Sequence, residues 1–345
     1  LDAKRPGTSS VVSVVQEAPL RVDRSPRLPA ARGPASAELF ALLRDEPAAV
    51  PVAPSDALGE DAQLALYVCY ELHYRGFAGV DPDKEWDPGV LQLRRELEAR
   101  FELALRGLVD PHGDTLALRD ELEALSAPPG NTGPSAYLLR HPDRARLREI
   151  VAHRSMYHLK EADPQAFVLP RLSGAAKTLV AGVEFDEYGG GDPRRSHSLL
   201  FAELMVELDL DPSYGAYLDA VSAPMLALVN LMSFCGLHRR LRGALIGQLA
   251  LVELSSPLTS QRMVQVLQAH GCGPAAQRFY AEHVVADAVH ERVMREAIGA
   301  LITAEPELTA DVVFGIRAAL ALEDRLDEHL LTHWKAGRSS LRQPI

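Results

Sequence analysis

From Ala35 onward the sequence never sustains the two-residue alternation of apolar and polar side chains that a half-buried strand requires. A sheet therefore cannot organise this chain. Ala, Leu, Arg and Glu dominate instead, residues that enter a helix at little cost. Proline, glycine and capping residues bracket the expected helices. These are Glu60–Phe77, Gly89–Leu108, Thr115–Leu125 behind an Asp114 cap, Asp143–Lys160, Gly174–Tyr188 and Arg194–Leu208. Pro224–Cys235, Leu237–Leu254, Thr259–Ala269, Pro274–Ile302 and Leu308–Trp334 complete the set. The expected class is all-α. Residues 1–34, rich in Pro, Arg and Ser, read as a disordered tail, 35–130 as an N-terminal helical extension and 131–345 as a core bundle. The clearest linker is the Pro129–Pro134 stretch.

Composition excludes several functions. The 345 residues carry 36 Lys+Arg against 47 Asp+Glu, a net charge of −11, with no basic stripe interleaved with aromatics, so no nucleic-acid partner is expected. Apolar runs such as Met225–Phe234 stop far short of the about 20 residues that cross a bilayer, so no membrane partner is expected. Leu1–Pro34 has no apolar leader core, and Cys69, Cys235 and Cys272 are too few and too scattered for a disulfide or CxxC framework. A reducing, cytoplasmic location is expected. None of this excludes a metal held by histidines and carboxylates.

The most informative segment is His283-x3-Asp287-x2-His290. On a helix, offsets of four and seven residues rotate the side chain by about 40° and −20°, so all three leave one face. Val284, Val285, Ala288 and Val289 lie between them, which argues against a solvated face. A carboxylate buried between two imidazoles is costly without a partner, and a metal satisfies all three. A partly exposed, hydrogen-bonded His/Asp face is the competing reading. Two His and one carboxylate suit iron, manganese or zinc, and the metalloprotease pattern H-E-x-x-H is absent.

Further ligands must come from other helices. Glu253 sits in an otherwise apolar helix, where the alternative is a core salt bridge to Arg240 or Arg262. Glu187 closes a helix before Gly189-Gly190-Gly191 and His197 opens the next, so a glycine reversal could bring them together. Glu161 is a weaker candidate, because Lys160 and Asp163 beside it read as surface, and Glu184 ranks with it. His73 reads as packed among aromatics, His153 and His158 as exposed, and His238 as part of a basic patch with Arg239, Arg240 and Arg242. Glu71 could line a substrate channel. Ferritin-like bundles repeat a carboxylate-x-x-His pair on two helices, whereas here Asp287-x-x-His290 has no second copy.

These residues resemble the heme-oxygenase-like di-iron oxidases, the iron-containing redox enzymes, across roughly Pro142–Trp334. In that family the third core helix carries H-x3-D-x2-H, matched by His283, Asp287 and His290. Its second core helix carries a Glu, matched by Glu253, and its first a Glu and a His, matched by Glu187 and His197, with Glu184 the alternative to Glu187. Asp186-Glu-Tyr-Gly-Gly-Gly191 and the run from Asn230 to Arg240 look like one actinobacterial-type branch, whose helical extension Ala35–Pro128 resembles. The resemblance implies a heme-oxygenase-like bundle and two Fe ions, cycling between Fe2+ and Fe3+, that take up O2 as a peroxo species. It also implies an external reductant or electron donor, a small-molecule substrate, a homodimer and no catalytic residue beyond the ligands. In N-oxygenating members an extra carboxylate joins the site, and Glu161 is where this chain would supply it. N-oxygenation of an amine- or amino-acid-type metabolite is the favoured reaction, with oxidative C–C cleavage or desaturation of an amino or fatty acid as the alternative. Heme binding, metal-free hydrolysis through a cysteine and a non-catalytic helical scaffold are the rivals outside that chemistry.

Overall fold

Aspartates set where several helices begin. Asp87 accepts from the N–H groups of Gly89 and Val90, Asp114 from Ala117, and Asp143 from Ala145 and Arg146. Each satisfies donors that a helix start leaves open, a contribution of about 1 kcal/mol. The computed structural model describes residues 25–47, 52–110, 112–128 and 130–345. Its helices are α1 (Pro34–Leu43), α2 (Glu60–Glu71), α3 (Pro88–Leu108), α4 (Thr115–Leu125), α5 (Gly133–Arg140), α6 (Arg144–His158) and α7 (Asp163–Ala166). They continue with α8 (Gly174–Glu187), α9 (His197–Glu207), α10 (Ala223–Leu237), α11 (Arg242–Ala269), α12 (Pro274–Ala304) and α13 (Thr309–Lys335). No strand occurs among the described residues, so the all-α expectation holds. No helix among them is long and apolar enough to cross a membrane.

The long α11 is the axis of the molecule, flanked by α12 and α13. Helices α8 and α9 pack on α12, and α10 packs against α2, α13 and α11. Two glycines decide how closely α11 and α13 meet. A Cβ on Gly315 would lie 1.9 Å from the carbonyl oxygen of Ala244, and one on Gly247 would lie 2.0 Å from that of Val312. Backbone therefore touches backbone there, and no side chain fits between.

The structure revises several expectations. Pro257 lies inside α11, so the two helices expected over Leu237–Leu254 and Thr259–Ala269 are one, beginning at Arg242. Proline forfeits the bond to the carbonyl one turn back, that of Glu253. Ser255 and Thr259 hydroxyls bond the carbonyls of Leu251 and Ser255 around the break. Helix α2 ends at Glu71 rather than Phe77. The expected linker is in part the start of α5, packed on α11 and α13. The tail expectation falls mostly outside the described residues, but residues 25–34 are held on the body. The Ala30 N–H donates to Asp219 at 2.7 Å, and Arg32 binds Glu60 and the carbonyl of Leu218.

Lys160, expected at the surface, is 2% exposed. Its ammonium lies 2.9 Å from Glu71 of α2, over the rings of Tyr74 and Tyr67, and the Tyr214 hydroxyl donates to the other Glu71 oxygen at 2.7 Å. Glu71 thus lines no channel; it buries a charge pair between the N-terminal helices and the end of α6. His153 is buried too, and His158 is largely covered. The charges on α6 do not mark an exposed helix, because their partners sit on other elements, as with Arg154 and Glu323 of α13.

Two stability predictions follow from this packing. Gly315→Ala should cost about 3 kcal/mol, the upper end for an overpacked site, since the added methyl has only backbone to displace; an unchanged urea midpoint would contradict the close crossing. Glu71→Leu alone should cost about 3–5 kcal/mol by leaving Lys160 buried and unpaired, whereas Glu71→Leu with Lys160→Met should recover most of that loss in the same denaturation experiment.

Candidate metal centre

Three glycines bring the first donors together. Gly189, Gly190 and Gly191 adopt φ of 93°, 61° and 89°, a region that favours glycine, and a Cβ on Gly189 would lie 2.3 Å from the Asp192 carbonyl oxygen. The chain reverses there, so Glu187 at the end of α8 and His197 at the start of α9 approach to 2.6 Å between Oε2 and Nδ1. The facing helix α12 supplies His283, Asp287 and His290, all buried, from one face. Glu253 arrives from α11, its Oε2 3.0 Å from His290 Nδ1. Glu161 lies just beyond α6, its Oε1 3.9 Å from His283 Nε2.

These seven residues form two four-membered groups. Glu161, Glu187, His197 and His283 make one; Glu187, Glu253, Asp287 and His290 make the other. Within each group one donor atom per residue lies within 4.8 Å of all the others, and Glu187 belongs to both. The two groups thus share one carboxylate.

Among the described residues the carboxylates of the centre have only histidines as ionic partners; no lysine or arginine pairs with Glu161, Glu187, Glu253 or Asp287. Burial, and then the carboxylate of Glu161, pushes Glu187 up to about 8. Burial also pushes Glu253 up to about 8, with Glu187 and Asp287 adding to it against the hydrogen bond to His290. For Glu161 burial works the same way, but His158, His283 and His197 outweigh it and hold the carboxyl at about 2. Burial opposes the charge of His290, yet Asp287 and Glu253 hold it up at about 11. Glu187 Oε1, Asp287 Oδ1 and His197 Nδ1 are buried with no aligned hydrogen-bond partner. Buried, unpaired donors of this kind fit a cation: oxygen and imidazole ligands suit iron, manganese or zinc.

Neighbouring groups orient the donors. His283 Nδ1 donates to the Phe279 carbonyl at 2.8 Å, which leaves Nε2 bare toward Glu161. His158 Nδ1 is 3.1 Å from Glu161 Oε2, and Ser256 donates to Asp287 Oδ2. Phe201 and Phe279 stack edge-on at 5.0 Å beside His158, His197 and His283, forming an apolar wall. A cavity of about 250 Å³ opens to solvent at His197 and His290, with Asp186, Arg195 and Glu282 among its lining.

Of the eight residues expected here, the structure brings together Glu161, Glu187, His197, Glu253, His283, Asp287 and His290. Glu184 lies in neither group. It is buried, and both its oxygens lack partners; burial, with Glu187 and Glu253, pushes it to about 9, the range of a protonated acid. Glu253 meets His290 rather than an arginine, because Arg240 pairs with Glu102 and Arg262 reaches the Gly130 carbonyl. His238 is no free basic patch either, lying 3.0 Å from Glu98. His73 is packed as expected, against Glu85 and Trp86. Val285 and Val289 do not mark a buried face as expected: they are 71% and 54% exposed, and the three polar residues form the buried face. His158 and Ser256 were missed. His158 stands three residues before Glu161, a local signal; Ser256 has none, since its approach to Asp287 depends on how α11 crosses α12.

An all-α bundle enclosing a buried carboxylate–histidine centre defines a metalloprotein class. The sequence profile of the iron-containing redox enzymes matches residues 148–324, and the chain belongs to that family, with its heme-oxygenase-like fold. A solved structure from Nostoc punctiforme, described as a CADD-like protein of unknown function, is similar over 60% of this chain and 94% of its own, at 15% identity and a TM-score of 0.49. No curated protein matches.

Proposed function

We propose that this iron-containing redox enzyme is a non-heme di-iron oxygenase that uses O2 to N-oxygenate a small amine- or amino-acid-type metabolite. The observation that carries the reading is Glu187 standing in both four-donor groups. The two groups together hold four carboxylates, Glu161, Glu187, Glu253 and Asp287, whose formal charge of −4 balances two divalent ions. Glu161, Glu187, His197 and His283 would hold one iron, and Glu187, Glu253, Asp287 and His290 the other. Bound iron would supply redox chemistry toward O2, and would need a reductant from outside the chain.

The protein's own residues hold that chemistry in place. The Phe279 carbonyl fixes the His283 ring, and His158 fixes Glu161. Phe201 and Phe279 keep water from the first group. At the mouth Asp186 is about half exposed, and Arg195 is already paired with Glu282, so the rim is acidic and favours a cationic nitrogen. Glu161 within the donor set supports N-oxygenation, the reaction that the extra carboxylate accompanies in the resemblance. A thiol mechanism finds no support: burial pushes Cys69 up to about 12 and Cys235 higher still.

Anaerobic titration should load two Fe(II) per wild-type chain, and O2 should then give a transient visible absorbance. His283→Ala and Asp287→Ala should each lose iron and abolish the transient, and Glu187→Ala should weaken both sites. His73→Ala should leave both measurements unchanged. Absence of iron uptake by the wild type would sink the reading. O2 consumption across a panel of amines, amino acids and fatty acids then reads the substrate, and a response to fatty acids alone would overturn the amine assignment.

A further inference from the structure

The two histidines of α12 present opposite ring nitrogens to the centre, and each is held by a different device. For His283 the device lies within the helix. Its Nδ1 is 2.8 Å from the Phe279 carbonyl, one turn back. A carbonyl only accepts, so Nδ1 carries the proton and the Nε2 lone pair faces the first group.

His290 cannot use the same device. Its Nδ1 is turned inward, 3.0 Å from Glu253 Oε2, 3.4 Å from Asp287 Oδ1 and 3.6 Å from Glu187 Oε1, the three carboxylates of the second group. Its Nε2 points outward and lies 3.3 Å from Asp186 Oδ2. Carboxylates only accept, so without a metal Nε2 donates to Asp186 and Nδ1 to Glu253; a metal among the inner carboxylates would replace the Nδ1 proton and leave the one that Asp186 holds on Nε2. Asp186 belongs to neither donor group, and its side chain is 55% exposed at the rim of the cavity. It stands one residue before Glu187, so the helix end that delivers the shared carboxylate also delivers the group that orients His290 from outside.

We infer that Asp186 is a positioning residue for the second metal: it locks His290 to bind through Nδ1, while His283 binds through Nε2. The inference rests on the two-metal reading of the site. It assigns Asp186 to one of the two metals and predicts unequal effects on them. Loss of a carboxylate that orients a ligating histidine weakens metal affinity by about 10–100-fold.

The test uses the full-length chain, titrated anaerobically with Fe(II) against a competing chelator. In Asp186→Ala one of the two irons should bind about 10–100-fold more weakly while the other keeps its wild-type affinity. Asp186→Asn keeps the size but loses the charge and should fall between, and Asp186→Glu should restore much of the loss. Thermal midpoints of the metal-free variants should match the wild type, since the replaced side chain is half exposed. The second measurement is a long-range 1H–15N spectrum of 15N-histidine-labelled protein loaded with Zn(II), assigned with His283→Ala and His290→Ala. It should show His290 with its proton on Nε2 and His283 with its proton on Nδ1. Unchanged affinity at both sites in Asp186→Ala, equal weakening of both, or the same bound nitrogen in both rings would overturn the inference and leave the two-metal reading standing. Failure of the wild type to bind any metal would overturn both.

Discussion

Buried carboxylates gathered with no lysine or arginine paired to them among the described residues are the constraint around which this molecule is arranged. Glu161, Glu187, Glu253 and Asp287 converge from α8, α11, α12 and the turn after α6 into a region covered by apolar packing. Carboxylates in that setting are stable only when protonated, hydrogen-bonded or bound to a cation. The protein supplies three histidines but no lysine or arginine among the described residues, and the nearest buried ammonium, Lys160, is committed to Glu71. Protonation and the histidines meet part of that charge, and the fold leaves the cluster open to a cation.

The surrounding scaffold is stiff where the centre needs it to be. Gly247 and Gly315 let α11 and α13 meet backbone to backbone, and α11 carries Glu253 toward α12. Pro257 sits four residues beyond Glu253, so the carbonyl of a site residue is the one left without its helical donor. On the other side, the Gly189–Gly191 reversal places two donors ten residues apart in sequence within 2.6 Å. The N-terminal helices are tied in by the buried Lys160–Glu71 pair, one residue from Glu161. An ion pair of this kind adds little net stability but is expensive to break, so it holds the turn bearing Glu161 in one arrangement.

Much of the site was legible because its strongest signal is local. His283, Asp287 and His290 share one helix, and helical periodicity alone puts them on one face. The Glu187–His197 pairing was legible for the same reason, since a glycine run between two helices predicts a reversal. The relative standing of Glu161 and Glu184 was not legible. Both are acidic residues near helix ends, and both prove buried. What separates them is that Glu161 faces His158 and His283, whereas Glu184 meets no donor.

The sequence by itself determined the helical class, the starts of α3, α4 and α6 at capping aspartates, and the ligand triad on α12. Each of these depends on residues within a turn or two of one another, where backbone geometry is the same in any fold. Tertiary structure alone decided that Lys160 is buried, that Val285 and Val289 face outward, that one carboxylate serves both donor groups, and which nitrogen His290 presents. Those outcomes depend on the angles and registers at which separate helices cross. A shift of a few ångströms in packing exchanges one partner for another without changing any local preference.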